Sequence, residues 1–180
     1  MDFSKLVLQR ESCRSYAEQP VEKEKLIECL KAARLAPSAN NSQPWHFTVA
    51  NSPELSPKVA KLTQQMGTNR FTEKAPAFVV VSEDKAHRPM LTKIGAGIKH
   101  QDFTSVDIGI AAAHLCFAAT EQGLSTCILG WFDEKGLKRL LGIPASTRIR
   151  LVVAVGYAAT DTLRQKTRRP LEESMDYIGL

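Results

Sequence analysis

Pro37-Ser38-Ala39-Asn40-Asn41-Ser42-Gln43-Pro44-Trp45 separates two different hydrophobic periods. Before it, Leu26, Ile27, Leu30 and Ala33 recur at helical spacing, with Lys23, Glu24, Lys25 and Lys31 on the opposite side. That helix opens near Pro20-Val21 and is expected to stop at Pro37. After it, Trp45-His46-Phe47-Thr48-Val49-Ala50 reads as a strand. The turn itself has no glycine, so it is neither a P-loop nor a dinucleotide loop. Its amides both donate and accept, which suits the edge of a flat polar ring, and suits equally a plain turn in which Asn40 and Ser42 bond their own backbone.

The same helix-and-strand vocabulary runs outward in both directions. Phe3, Leu6 and Val7 mark a short first helix ending near Arg10, and Pro57, Val59, Leu62 and Met66 mark a third. Ala77-Phe78-Val79-Val80-Val81 is an unbroken apolar run, as in a strand buried on both faces. Phe103 to Glu121 is the longest helix pattern, apolar around much of its circumference and therefore central. Leu124–Leu129 and Ile149–Tyr157 read as strands, and between them Asp133 caps a short helix closed by Gly142 and Pro144. The layers that follow are those of one α+β domain over residues 1–180. Ala158 to Leu180 forms a basic extension with Leu171, Met175, Tyr177 and Ile178 apolar, and it is expected to contact a partner subunit.

The bulk properties narrow the class. The chain has 180 residues, 43% hydrophobic and 24% charged, with net charge +5. This is the balance of a globular protein with a sizeable core. The start, Met1-Asp2-Phe3-Ser4-Lys5, is unlike a signal peptide, and no uncharged apolar run is long enough for a bilayer, so a cytoplasmic address is expected. Cys13, Cys29, Cys116 and Cys127 form no CxxC pair and are expected as reduced, buried thiols. Cys13 is set apart by Arg10 and Arg14, which could lower its pKa.

The positive charge is not a stripe. It gathers at Arg10-Glu11-Ser12-Cys13-Arg14 and at Arg164-Gln165-Lys166-Thr167-Arg168-Arg169. Arg10 and Arg14, with Ser12 between them, can face one phosphate if the chain turns after Arg10, and Lys166 with Arg168 can add further cations. The same spacing fits solvated arginines paired to Glu11 or Glu18. Gly95-Ala96-Gly97 lacks a preceding strand and a third glycine. His46, His87, His100 and His114 show no metal-ligand spacing, and no GxSxG elbow is present, so no metal site and no hydrolase is expected. Trp45, His114 and Asp107 read as interior residues. Without an acid–base or nucleophile set, an enzyme of this sequence relies on a cofactor, and the two clusters suit a phosphorylated heteroaromatic one.

These residues resemble the FMN-dependent nitroreductases. The likeness runs from Arg10-x-Ser12-x-Arg14 through Pro37-Ser38-Ala39-Asn40-Asn41-Ser42-Gln43-Pro44-Trp45 to Gly130-Trp131-Phe132 and Lys166-x-Arg168-Arg169-Pro170-Leu171-Glu172. It implies a nitroreductase-like α+β fold with a central mixed β-sheet flanked by helices, and an intertwined homodimer with FMN between subunits. It assigns Arg10, Ser12, Arg14, Lys166 and Arg168 to the FMN phosphate. Pro37, Ser38, Ala39 and Asn41 would come from the opposite subunit, Asn69 would meet the pyrimidine edge, and the backbone amides of Leu129 and Gly130 would lie near flavin N5.

The activity implied is ping-pong hydride transfer from NADH or NADPH to FMN and on to an electron-poor acceptor such as a nitroaromatic or quinone, with no catalytic side chain. Dehydrogenation, dehalogenation and flavin fragmentation on the same scaffold stay open, as does a non-catalytic nucleotide- or nucleic-acid-binding module. The supply of aromatics for such a module is thin: Tyr16, Phe71, Trp131 and Tyr157, none within a basic run. Two departures stand out. Leu129 replaces a glutamate found in some members, and Lys85–Gln101 looks like an abbreviated lid.

Overall fold

The computed structural model describes residues 2–84 and 101–179. Apart from Gln101, the expected lid lies outside the described residues, as do Gly95-Ala96-Gly97, His87 and His100. Helices α1 (Phe3–Gln9), α2 (Lys23–Ala33) and α3 (Ser56–Thr63) precede α4 (Phe103–Glu121) and α5 (Glu134–Leu141). Strands β1 (Trp45–Ala50), β2 (Ala77–Glu83), β3 (Ser125–Leu129) and β4 (Ile149–Gly156) form one sheet in the order β1-β2-β4-β3.

Every neighbouring pair in that sheet is antiparallel, which narrows the expectation of a mixed sheet. The crossover through α4 carries β3 past the position beside β2. β4 then fills the gap and runs opposite to both. Among the described residues, parallel pairing is confined to one isolated bridge, Ser12 to Thr126.

The period of two along β2 and β4 explains why both read as continuous apolar runs. Ala77, Val79, Val81, Val153 and Val155 enter a core under α2 and α4, with Leu26, Cys29, Ile108, Ala111 and Leu115. Phe78, Val80, Val152 and Ala154 enter a second core under α3 and α5, with Val59, Ala60 and Leu137. The sheet is thus the middle of three layers. At Gly156 the strands approach the chain so closely that a Cβ would lie 2.6 Å from Pro76 and 2.8 Å from Tyr16, so only glycine fits.

Local chemistry sets the helix ends. Asp102 and Asp133 cap α4 and α5 by accepting from the Ser105 and Gly136 N–H groups at 3.1 and 2.9 Å. Gly142, at φ 67°, terminates α5 in the left-handed region. Two ends fall earlier than the periodicity implied. α2 stops at Ala33 and gives way to turns at Leu35 and Ala36, because the approach to Pro37 disfavours helix. α3 stops at Thr63, whose hydroxyl bonds back to the Ala60 carbonyl at 2.7 Å, and leaves Met66 exposed.

By length and composition α4 could cross a membrane, but one side of it, including Asp107, is packed into the first core. Its other side is apolar and open. Phe3, Leu6, Val106, Ile110, Ala113 and Phe117 line part of a groove of about 730 Å³. The segment after β4 is exposed throughout its last residues, with Leu171, Tyr177 and Ile178 more than 60% accessible.

Candidate functional site

Arg10 leaves the helical region (φ −59°, ψ 121°) and ends α1. The chain then runs across the end of the sheet, where Ser12 bridges Thr126 and the Cys13 N–H donates to the Thr126 carbonyl at 2.9 Å. Tyr16 bridges Ala158, and the Ala159 N–H donates to the Ser15 carbonyl at 3.0 Å. These bonds fold the segment after β4 back over residues 10–14.

A cavity of about 270 Å³ opens where the two segments meet, lined by Arg10, Glu11, Ser12 and Arg14 on one side and by residues 164–168 on the other. All five residues assigned from the sequence to a phosphate line it. Arg164 was read only as part of a basic run, and it lines the cavity too. Its guanidinium donates to the Ser12 carbonyl, and Lys166 donates to the Leu8 carbonyl.

Glu11 is the one carboxylate in the lining. It meets the Arg164 backbone N–H at 3.2 Å and Nε at 3.6 Å. Glu18 pairs instead with Lys74, at 3.7 Å. Glu11 and Glu18 thus face Arg164 and Lys74 rather than Arg10 or Arg14, and Arg14 is exposed. The cavity is cationic and polar, and it is smaller than the ~300–1,000 Å³ that whole organic ligands occupy. It suits one anionic end of a ligand.

β3 leads away from this cradle along the edge of the sheet. Thr126 lies at the cradle, and Gly130 just beyond the strand. Four residues of strand separate them by about 14 Å. Leu129 is buried beside Leu137 and Ile149 in the second core, so at this end it offers backbone rather than side chain, whereas Gly130 is exposed. Asn69 reaches the same end. Its Nδ2 donates to the Thr63 carbonyl at 3.0 Å and the Trp131 carbonyl at 3.3 Å. A buried pair, Thr63 and Thr72 with hydroxyls 2.9 Å apart, braces it, and the Thr72 hydroxyl donates to the Asn69 carbonyl at 2.7 Å. The Asn69 Nδ2 is thus engaged, leaving Oδ1 as the acceptor for a ligand N–H.

The turn is anchored from α4. Asp107 of α4 is 4% exposed, and its Oδ1 accepts from the Ala39 N–H at 3.1 Å while its Oδ2 accepts from the Ser42 hydroxyl at 3.4 Å. The Ser38 hydroxyl accepts from the Gln43 N–H at 2.9 Å, and the Asn41 side-chain oxygen accepts from Gln43 Nε2 at 3.1 Å. Asn40, Asn41 and Gln43 all have positive φ. The amide-rich composition thus serves a strained backbone as well as any ring. A lone aspartate in an alanine-rich helix was the available signal for Asp107.

Ser38, Ala39 and Asn41 therefore sit by Asp107, whereas the cradle lies by Cys116, which borders Thr126 and Arg10. Nine helical residues separate those levels, about 14 Å. That separation matches the one along β3 from Thr126 to Gly130, so the turn stands at the level of the Gly130 end of the site rather than at the cradle.

The chain is similar to known proteins. The model of the Nitroreductase family matches residues 7–69 and 56–157. The chain belongs to the nitroreductase family. A protein of Archaeoglobus fulgidus, provisionally named NADH dehydrogenase/NAD(P)H nitroreductase, is 32% identical over 157 residues, covering 85% of this chain and 83% of its own. A nitroreductase family protein of Clostridium difficile superposes at TM-score 0.80 with 29% identity, covering all of both chains. A structure from Exiguobacterium sibiricum, provisionally named a nitroreductase and solved in complex with FMN, superposes at TM-score 0.81 with 22% identity over 98% of this chain and 97% of its own.

Four further residues complete the picture of this family member. Cys13 is not activated: burial pushes its thiol up despite the nearby arginines, and the thiol donates to the Ser15 carbonyl at 3.2 Å. All four cysteines are free and buried. Trp45 is core, as expected, and His114 bonds the Ile110 carbonyl at 2.9 Å and lines the apolar groove. Tyr16, counted among aromatics open to a nucleic acid, is 2% exposed, with its hydroxyl donating to the Ala154 carbonyl at 3.3 Å.

Proposed function

We propose that this chain is an FMN-dependent NAD(P)H oxidoreductase acting on electron-poor acceptors such as nitroaromatics or quinones. The observation that carries the reading is the meeting of Arg10, Ser12 and Arg14 with Lys166 and Arg168 at one small cavity. A phosphate monoester dianion takes charge-assisted bonds from several guanidinium and ammonium groups, and a hydroxyl completes the set. The FMN in the Exiguobacterium structure and the NAD(P)H in the Archaeoglobus protein's name support the cofactor and the co-substrate. When bound, FMN supplies the redox chemistry, taking a hydride from NADH or NADPH and giving it to the acceptor.

The chain's own residues bind and orient. Arg10, Ser12, Arg14, Lys166 and Arg168 hold the phosphate. The Leu129 and Gly130 amides and the Asn69 Oδ1 serve the ring edge, about 14 Å away along β3. Fixed dipoles of this kind stabilise charge without reorganising.

The working form is a homodimer, in which the turn of one subunit (Pro37, Ser38, Ala39, Asn41) completes the site of the other. Two features support this: the open apolar groove on α4 and the exposed apolar side chains after β4. Four free, buried cysteines support a reducing cytoplasm.

The test is the visible spectrum of the purified protein. A flavin absorbance bleached anaerobically by NADH or NADPH and restored by a nitroaromatic or quinone is the expected result. Colourless protein that takes up no FMN, with steeply salt-dependent oligonucleotide binding, would favour the nucleic-acid module instead.

A further inference from the structure

Glu11 is out of place in an anion cradle. A carboxylate beside Arg10, Ser12 and Arg14 repels the phosphate that those residues attract. The geometry points to a different role: Glu11 and Arg164 are positioning residues, which staple the segment after β4 across the N-terminal segment so that Lys166 and Arg168 reach the cavity.

Three contacts make the staple. The Arg164 backbone N–H lies 3.2 Å from Glu11 Oε2, its Nε lies 3.6 Å from the same oxygen, and its terminal nitrogen donates to the Ser12 carbonyl. The Glu11 side chain is 16% exposed and that of Arg164 54%. Water therefore competes mainly for the arginine. The last bridge of the sheet region to the segment after β4 is Tyr16 with Ala158, and the Ala159 N–H bond lies just beyond it. Between Ala159 and Lys166, Arg164 supplies the bonds that return the chain to residues 11 and 12. Lys166, two residues on, then bonds the Leu8 carbonyl. Removing the staple frees the stretch that carries two of the five phosphate-binding residues.

The inference rests on the FMN reading of the cradle, and the sign of one substitution separates it from the alternative. Glu11→Gln removes a negative charge from an anion site. If Glu11 were only a nearby charge, FMN would bind as tightly or more tightly. If it positions the segment, FMN binds more weakly although the site has become more positive.

The experiment compares FMN and riboflavin binding by flavin fluorescence in wild type, Glu11→Gln, Arg164→Ala and the double variant, with hydrogen exchange of residues 158–168. The expected result is FMN binding weakened about threefold to tenfold in each single variant. The double variant should be little worse than either single one, as for partners in one interaction. Riboflavin affinity stays unchanged, and amide protection falls in the flavin-free protein. Unchanged or tighter FMN binding by Glu11→Gln overturns the inference. Should wild type take up no FMN, the cofactor reading fails by itself. The exchange data then decide the staple: lost protection in Glu11→Gln supports it, and unchanged protection ends it.

Discussion

Asp107→Ala tests the link between the core of this protein and its turn. The carboxylate is 4% exposed and accepts from the Ala39 N–H at 3.1 Å and the Ser42 hydroxyl at 3.4 Å. Hydrogen bonds to charged groups contribute about 1.5–3 kcal/mol each, with the longer Ser42 contact at or below the lower bound. Ser42 is 1% exposed, so its hydroxyl loses this acceptor without gaining water. Removing the carboxylate also relieves its own desolvation, which offsets part of the loss. The balance is a destabilisation of about 2–4 kcal/mol, or roughly 5–12 °C in melting temperature for a domain of this size.

Urea denaturation and thermal melts of Asp107→Ala, Asp107→Asn and Ser42→Ala measure it. Asn keeps one carbonyl oxygen and should fall between wild type and Ala. Ser42→Ala removes one long bond and should cost only about 0.5–1.5 kcal/mol. Equal stability of Asp107→Ala and Ser42→Ala would refute the claim that this carboxylate holds the turn. So would an Asp107→Ala melt indistinguishable from wild type.

Other perturbations have equally definite outcomes. Arg14→Ala should weaken FMN binding about tenfold and leave riboflavin binding nearly unchanged, because only the phosphate contact is lost; titration of flavin fluorescence reads both. Leu137→Ala empties a fully buried position against Leu129, Ile149 and Val152, and its urea midpoint should drop by the equivalent of about 2–5 kcal/mol with little change in slope. Cys29 is pushed up to about 11 from 9.0, first by burial and then by neighbouring Cys116. A raised folded-state pKa gives stability that is complete below pH 9 and lost as pH rises through about 11. Wild type should therefore lose more melting temperature across that window than Cys29→Ala, and parallel losses would contradict the assignment.

The elements were legible because their signals are local. Trp45–Ala50 alternates, Ala77–Val81 is apolar at every position, and α4 is apolar nearly all round; each period states its own secondary structure, and for Ala77–Val81 its burial too. Arg10, Ser12 and Arg14 were legible as a cationic cluster for the same reason, since their spacing can be read without knowing what lies opposite. The mixed sheet came from the family resemblance and not from any residue pattern, and the four described strands are all antiparallel to their neighbours. Strand direction depends on where β4 inserts, and no residue of β4 encodes its neighbours by itself. Cys13 was misjudged because the arginines beside it act in sequence, whereas its burial arises from packing below β3 and β4.

By itself, then, the chain determined which segments are helix or strand and which carry the positive charge, because periodicity and charge are properties of neighbouring residues. Only the tertiary structure brought Arg164, Lys166 and Arg168 onto residues 10–14, placed Asp107 under Ala39 and Ser42, and set Asn69 beside Trp131. Those contacts join positions far apart in the chain. They exist only once the two cores have closed around the sheet: the charge pattern offered Lys166 and Arg168 as cations for the same phosphate, but held no sign of Arg164 there, of Asp107 under the turn or of Asn69 beside Trp131.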